Sequence, residues 1–350
     1  MDRIFSLMVA KTNLDSRLIL RFGDYADIGI VTKFIDEHWK PGHILTRDRE
    51  LFEYLYLEKN GRLNFVIAID EHSGEMVAML GYIPTDKSHS RIGLSMWMSR
   101  PDATIRQRKV GLSVLRFLIN EVKPKRIFSS GIGPDTKIVY EFLGYFCDRM
   151  DHFVLVNNQI DEFRIIKNPP RSIFDQLISD SSFGSLSVVS TEKDLRHALS
   201  DFEFDLNPKD ADYFCHRYLS HPRFKYEIRK VLVDGVVTGV IVFRRSFALN
   251  RSCIRIIDVI GGEESLRLAT KSLTCEMITN GDEYIDLLCW GLNSDHVQET
   301  GFFDRREFVD CIVPDYFSPF LQSNSDCWLF TNSPSSEKIF KGDGDQDRPN

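Results

Sequence analysis

Apolar residues recur along this chain with two alternating periods, and each change of period marks an element. Residues 17–22 (RLILRF) read as a strand. In DYADIGIVTKFIDEHW, which follows, Ile28, Val31, Phe34, Ile35 and Trp39 fall at helical spacing. TRDRELFEYLYLEK repeats that period, with Thr46 as the expected N-cap. LNFVIAID and MVAMLGYIP flank the turn EHSGE and predict a hairpin, and RIGLSMWMS predicts a third adjacent strand. KVGLSVLRFLINEV is expected to be an amphipathic helix burying Leu112, Leu115, Leu118, Ile119 and Val122. A short strand RIFSS, a helix TKIVYEFLG and a strand HFVLVN complete the pattern.

The second half repeats it. YEIRKVLVDGVVTGVIVFRR predicts a hairpin, CIRIIDVIG a strand, EESLRLATKSLTCEMITN a helix and YIDLLCW a strand; SDHVQETGFF predicts a short helix ending in Gly-Phe. The hairpin glycines Gly74 and Gly235 are 161 positions apart, and the helix-ending glycines Gly144 and Gly301 are 157 apart. Two landmarks with nearly one offset indicate an internal duplication. The expected organisation is a first domain over 1–166, a Pro-, Ser- and Gly-bearing linker over 167–184, a second domain over 185–332 and a disordered tail over 333–350. The fold class expected is α/β, with mixed, mostly antiparallel sheets flanked by helices.

Composition narrows the function. The chain has 350 residues, 43% of them hydrophobic, and a formal charge of −7. That is enough apolar mass for a sizeable core, the length favours two domains, and the acidity argues against nucleic acid as the main partner. Seven scattered cysteines, with no CxxC pair, suit a reducing compartment better than a disulfide framework or a zinc site. The amino-terminal MDRIFSLMVAK reads as an extension rather than a signal peptide, and no segment approaches the roughly 20 apolar residues of a membrane span. The expectation is a cytoplasmic protein, monomeric or homodimeric, with no membrane partner. No HExxH motif or close Cys/His cluster calls for a metal, and the tail GDGDQD lacks the offsets of a calcium loop.

Candidate chemistry gathers between the third strand and the long helix, at SRPDATIRQRKVGLSVL. The register Arg108-x-x-Gly111-x-Ser113 opens a helix, where unpaired N–H groups and the positive end of the dipole favour an anion and small residues let a phosphate approach. Arg106, Arg108 and Lys109 add charge. A basic loop with a glycine turn would have the same composition.

The order of elements around that loop, with Tyr140-Glu-Phe-Leu-Gly144-Tyr145 near its end, resembles the GNAT family of acyl-CoA-dependent N-acyltransferases. Residues 17 to about 157 match one whole GNAT unit, and the second half is similar to another. The resemblance implies two tandem GNAT-like domains. It implies that the pyrophosphate of acyl-CoA rests on Arg108, Lys109, Val110, Gly111, Leu112 and Ser113 beside Arg106, with the thioester held near Trp97 and Met98. It also implies that Tyr140 protonates the departing thiolate, which suits a phenol whose pKa of ~10 is close to that of a thiol. A core aromatic in a helix is the other reading of Tyr140. In the second half Glu263 and Glu264 occupy the phosphate position and Val297 the tyrosine position, so that domain is expected to be a degenerate copy without CoA, serving structure or nucleotide-sugar binding.

HWKPGHIL, NFVIAIDEHSGEMVAMLGYIPT and RYLSHPRFKY further resemble tandem-GNAT enzymes of bacterial surface-polysaccharide (O-antigen, lipopolysaccharide) biosynthesis, which acylate nucleotide-linked amino sugars. The type resembled transfers 3-hydroxybutanoyl from its CoA ester to a dTDP-3-amino-3,6-dideoxyhexose. Attack requires an unprotonated amine, so a base or a water relay is needed. His43, Asp151 and His152 are the candidates; His43 could instead cap the Pro-Gly turn, Asp151 could be a strand-edge charge, and His152 could be half-buried in a strand. Trp39, Tyr82, Gly131, Gly133, Arg217 and Tyr218 are the candidate substrate contacts. Trp39 is expected to finish a buried stripe and leave His43 facing substrate. Tyr213, Arg217 and Tyr218 could share a helix face toward a nucleotide, or pack in an aromatic core. The alternatives in function are a tandem GNAT using aminoacyl-tRNA, which the acidity and the retained loop disfavour, and a non-catalytic acyl-CoA-binding module.

Overall fold

The computed structural model describes residues 18–102, 109–170, 184–200 and 209–349. In chain order the elements are β1 (Leu18–Asp24), α1 (Ile28–Phe34), a wide π-type turn (Ile35–Trp39), α2 (Ile44–Arg47), α3 (Arg49–Tyr56), β2 (Arg62–Asp70), β3 (Met76–Pro84), β4 (Arg91–Ser99), α4 (Val110–Val122), β5 (Arg126–Ile132), α5 (Pro134–Phe142), β6 (Phe146–Arg149) and β7 (Asp151–Val156). Then come β8 (Gly184–Val188), α6 (Glu192–Ser200), α7 (Ala211–Phe214), a second π-type turn (Cys215–Leu219), β9 (Glu227–Val233), β10 (Val236–Ala248), β11 (Arg251–Gly261), α8 (Glu263–Asn280), β12 (Tyr284–Trp290), α9 (Ser294–Glu299), β13 (Phe303–Asp304), β14 (Trp328–Thr331) and β15 (Ile339–Phe340).

The first sheet has the order β1-β2-β3-β4-β5-β14-β6 and the second β13-β7-β12-β11-β10-β9-β8, with β15 added on β12. In each, an antiparallel meander leads through a long helix into a parallel pair: β4 with β5, and β11 with β12. The duplicated mixed sheet flanked by helices is the expected architecture. One wide turn precedes each meander, a second sign of duplication.

Several expectations are corrected. Asp48, not Thr46, caps α3, its Oδ1 accepting from Leu51 N at 3.0 Å; Thr46 belongs to the short α2 before it. α4 buries Val110, Val114, Leu115 and Leu118, while Leu112, Ile119 and Val122 are half-buried, a stripe turned by one position.

The expected boundary near 166 also shifts. The chain divides into one unit of Met1–Ser129, Pro134–Cys147 and Phe330–Asn332, and a second of Ser130–Gly133, Asp148–Leu329 and Ser333–Asn350. β7, expected to close the first domain, pairs with β12 of the second sheet from Tyr284↔Val156 to Cys289↔Asp151. Its two faces explain this. Phe153 and Leu155 join the core of Ile254, Ile256, Ile285 and Leu287, and Val154 and Val156 join Ile165, Cys253 and Tyr284 on the other side. A strand apolar on both faces belongs inside a sheet, not at its rim.

The tail is ordered over 333–349 rather than disordered. Its composition suggests little burial, yet Asp343, Asp345 and Asp347 are 0%, 5% and 1% exposed. Asp343 meets Lys209 Nζ at 3.0 Å, and Asp347 accepts from Arg244 Nε and Nη2 at 3.1 and 2.8 Å. Buried carboxylates persist where cations and donors replace their water. The linker segment 171–183 lies outside the described residues, as does the extension over 1–17.

Candidate functional site

The opening in the first unit begins where β4 and β5 part. They pair in parallel at Arg91↔Arg126, Ile92↔Ile127 and Gly93↔Phe128, and the pairing ends there. Gly93 is needed at the last pair, because a Cβ on it would stand 2.8 Å from Phe128 Cζ. One residue further on, a side chain replaces the ladder: Ser129 Oγ donates to Leu94 O at 2.8 Å.

On its other edge β4 is bulged. Gly81 pairs with Ser95 and Met79 with Met98, so Met96 and Trp97 together oppose Leu80. Met96 takes φ = 45°, a left-handed conformation uncommon for this residue type. A bulge interrupts the ladder and re-aims neighbouring groups, and bulges concentrate beside active sites. Sequence reading placed the thioester contact at Trp97 and Met98; the bulge adds Met96, which no turn residue signals.

α4 starts beside this bulge. Its N-cap, Lys109, has φ = 52° and gives no side-chain cap, and the first turn holds no acidic residue. Leu112 N and Ser113 N donate to Lys109 O at 3.0 and 3.3 Å. Gly111 O accepts from Trp97 Nε1 at 2.9 Å, fastening the helix start to the bulged strand. The corresponding α8 begins Gly262-Glu263-Glu264, with two carboxylates in its first turn. Glu263 is held by His296 and Glu264 by Arg267, at 2.8 and 2.6 Å. Arg106 and Arg108 fall outside the described residues.

Tyr140 lies on α5, 1% exposed, with its ring 5.2 Å from that of Trp97 and 3.7 Å from that of Phe330. Burial pushes its phenol well above 10, with Tyr145 and Cys147 adding to the shift. It is therefore neutral at physiological pH. Phe330 arrives from 190 positions downstream, which no local pattern reveals. In this position Tyr140 is a core aromatic, and its raised pKa moves the phenol away from the near match with a thiol that the resemblance implies.

The HWKPGHIL connector is held by its backbone. Asp36 Oδ1 accepts from Gly42 N at 2.7 Å, and Lys40 N donates to Ile35 O at 3.0 Å. That i→i+5 closure widens the turn by one residue and rotates Trp39 off the stripe of Val31, Phe34 and Ile35. Trp39 is consequently 43% exposed, contrary to the expected packing, while His43 is 5% exposed. His43 caps α2, its Nδ1 accepting from Leu45 N at 3.3 Å. The turn runs alongside β4.

The remaining candidates divide between the two units. Tyr82 is a core residue of the first, its hydroxyl accepting from Arg62 Nη2 at 2.6 Å. Asp151 and His152 belong to the second. Asp151 is paired with Arg306, and burial raises its carboxyl despite that cation. His152 Nε2 lies 3.0 Å from Asp286 Oδ2, on a carboxylate that also accepts from Arg255. Gly131 (φ = 76°) is the next-to-last residue of β5 and Gly133 follows its end; both group with the second unit, where Gln346 fills the space a Cβ on Gly131 would need. Tyr213, Arg217 and Tyr218 share the face anticipated for them, but the residues they meet are those of the C-terminal segment: Tyr213 Oη and Arg217 Nε both donate to Gly342 O at 3.1 Å.

Among the described residues no helix is long and apolar enough to cross a membrane. No family model and no curated protein matches the chain. Solved structures do. A GCN5-related N-acetyltransferase from Anabaena variabilis ATCC 29413 is similar at a TM-score of 0.53 and 10% identity, over 89% of this chain and 72% of that one. A protein of unknown function from Enterococcus faecalis V583, described as a probable N-acyltransferase, is similar at a TM-score of 0.54 and 8% identity, over 90% of this chain and 72% of that one. At such identities the likeness is one of fold, and the fold is that of the GCN5-related N-acetyltransferases, laid out as two tandem GNAT-like units.

Proposed function

We propose that this chain is an N-acyltransferase that uses acyl-CoA at the β4–β5 opening of its first unit. The observation that carries the reading is the conjunction of that opening with the Met96–Trp97 bulge on the other edge of β4 and, among the described residues, a helix start beside the bulge that has no acidic residue in its first turn and no side-chain cap from Lys109. Acyl transfer needs a donor for the developing oxyanion, a seat for the pyrophosphate and an acid for the leaving thiolate. The β4 backbone from Met96 to Met98 supplies the first. The amides of Lys109, Val110 and Gly111 at the start of α4, with the side chains of Arg106 and Arg108 preceding them in the sequence, supply the second; Leu112 N and Ser113 N are already bonded to Lys109 O. Tyr140 supplies the third. The amine attacks the thioester carbonyl and gives one proton to a water. The C–N bond forms as the C–S bond breaks, the phenol proton passes to sulfur, and the phenolate recovers a proton from solvent.

The acceptor we propose is a nucleotide-linked amino sugar, a dTDP-3-amino-3,6-dideoxyhexose in particular, with 3-hydroxybutanoyl as the acyl group; the phrases quoted from the sequence support this choice. With His43 engaged as a cap, Asp151 paired with Arg306 and His152 hydrogen-bonded to Asp286 in the second unit, an ordered water is the base this reading favours. Release of free thiol from a series of acyl-CoAs, mixed with a panel of dTDP- and UDP-amino sugars, tests the proposal. Turnover with an amino sugar supports it. Measurable CoA binding with no turnover on any amino sugar refutes it and leaves the acyl-CoA-binding module.

A further inference from the structure

The second unit repeats the opening of the first, but its occupant is different. β11 and β12 pair in parallel at Ile254↔Ile285, Arg255↔Asp286 and Ile256↔Leu287, and then separate. Into that gap comes the chain's own C-terminal segment. Phe340 and Ile339 pair antiparallel with Cys289 and Trp290. Lys341 N donates to Leu288 O at 3.1 Å and Gly342 N to Ile257 O at 2.9 Å, so adjacent residues bond to the two lips.

The fit is specific. A Cβ on Gly342 would stand 2.3 Å from Tyr218 Oη and 2.9 Å from Ile257 Cγ2, so only glycine passes at that point. The carbonyl of Gly342 is held by Tyr213 and Arg217. Three further side chains of the segment are recognised by charge. Asp343 meets Lys209, which also holds Asp258 of β11 at 2.7 Å; Asp347 takes the fork of Arg244 and the Tyr226 hydroxyl at 2.8 Å; Lys341 reaches Asp315 at 2.5 Å.

We propose that the β11–β12 opening is a peptide-binding site of the strand-addition type, built for an acidic Lys-Gly-Asp-containing strand and occupied by residues 339–347 of the same chain. The segment takes the place in the second unit that the acyl donor takes in the first, a comparison that rests on the function proposed above. Main-chain bonds to both lips supply affinity and the glycine and carboxylate subsites supply selectivity, the division of labour of strand addition.

The test uses the full chain, with a protease recognition sequence inserted in the exposed turn between Ser335 and Ser336. After folding and cleavage, the released piece is expected to stay bound through gel filtration and to exchange saturably with a labelled synthetic peptide of residues 336–350. A peptide carrying Gly342→Val should compete at least about 100-fold more weakly, and one carrying Asp347→Asn about 10-fold more weakly. Departure of the cut piece without a change in Tm, or equal competition by the Gly342→Val peptide, overturns the proposal. In the uncut wild-type chain, the amides of Lys341 and Gly342 should exchange with deuterium as slowly as those of central β11; exchange at the rate of an unstructured peptide refutes it. Acyl-CoA stoichiometry separates the two readings. One per chain fits both and two defeats the plugged opening. None defeats the acyl-CoA reading of the first unit, and the peptide competition then decides the second unit alone.

Discussion

The ring of Phe330 lies 3.7 Å, centroid to centroid, from the ring of Tyr140, inclined by only 23°. Both are essentially without solvent exposure. The residue proposed to donate the proton is thus positioned by a residue that touches no reacting atom. Phe330→Ala should cost about 3–5 kcal/mol of stability through the cavity it leaves, and should lower kcat at saturating acyl-CoA more than it raises KM. Phe330→Leu should recover most of both. Urea denaturation and steady-state kinetics on the two variants check this. Unchanged kcat in a folded Phe330→Ala protein would separate the stack from catalysis.

Tyr140→Phe keeps the ring and removes the proton. kcat should fall about 100-fold while the melting temperature moves little. Burial raises the phenol pKa, so the wild-type alkaline limb should lie above the ordinary value of 10. The sign for stability is the same: the contribution is whole below the unfolded-state value and is lost as pH rises toward the folded one. A pH–rate profile identical in the two proteins removes Tyr140 from the mechanism.

Trp39 and His43 should separate stability from acceptor binding. His43→Ala removes the cap of α2 and should cost about 1 kcal/mol with kcat unaltered. Trp39→Ala, at an exposed position, should change stability by no more than about 0.5 kcal/mol and raise the KM for the acceptor alone. An acceptor KM untouched by Trp39→Ala takes the tryptophan out of the acceptor site.

Acid should act on the second unit through His221. Burial first, and then Arg217, Arg244 and Arg223 against the opposing Asp347, lower its pKa to about 3. Its Nδ1 accepts from Arg223 N and Phe224 N at 3.1 and 2.9 Å, which leaves no room there for a proton. Below pH ~6.5 the unfolded chain gains a proton that the folded chain refuses, so stability declines as pH falls from there toward 3. His221→Asn should flatten that decline, measured as ΔG against pH between 7 and 4. Below about 4 a further loss begins as Asp286 approaches its value of about 2, depressed by Arg255 and His152 against the effect of burial.

Much of the fold was legible because local periods dictate it. The two hairpins, the two long helices and the duplication follow from apolar spacing and paired glycines. The start of the long helix at Lys109–Val110 was legible too, since the change of period that marks it is local. What the sequence concealed was long-range. Whether Asp151–Val156 closes the first sheet or enters the second depends on which strand offers complementary apolar faces, and the pattern of one strand does not carry that information. Phe330 is an ordinary aromatic until its partner is known. Asp343, Asp345 and Asp347 read as a solvated acidic tail because their cations, Lys209 and Arg244 among them, lie far away in the chain. The inversion of Trp39 and His43 came from a single extra residue in a helical turn.

The first unit draws Phe330–Asn332 from near the far end of the chain. Asn332 Oδ1 accepts from Ile127 N at 2.8 Å, and Asn332 N donates to Ile127 O at 3.1 Å. During synthesis, more than half of the polypeptide must therefore emerge after β5 before the stack on Tyr140 can form. An amino-terminal half still tethered to the ribosome lacks a piece of its own core and exposes an unfinished sheet edge, the kind of surface that chaperones shield. A nascent chain that has not yet reached residue 330 therefore lacks the aromatic that holds the proposed acid in place.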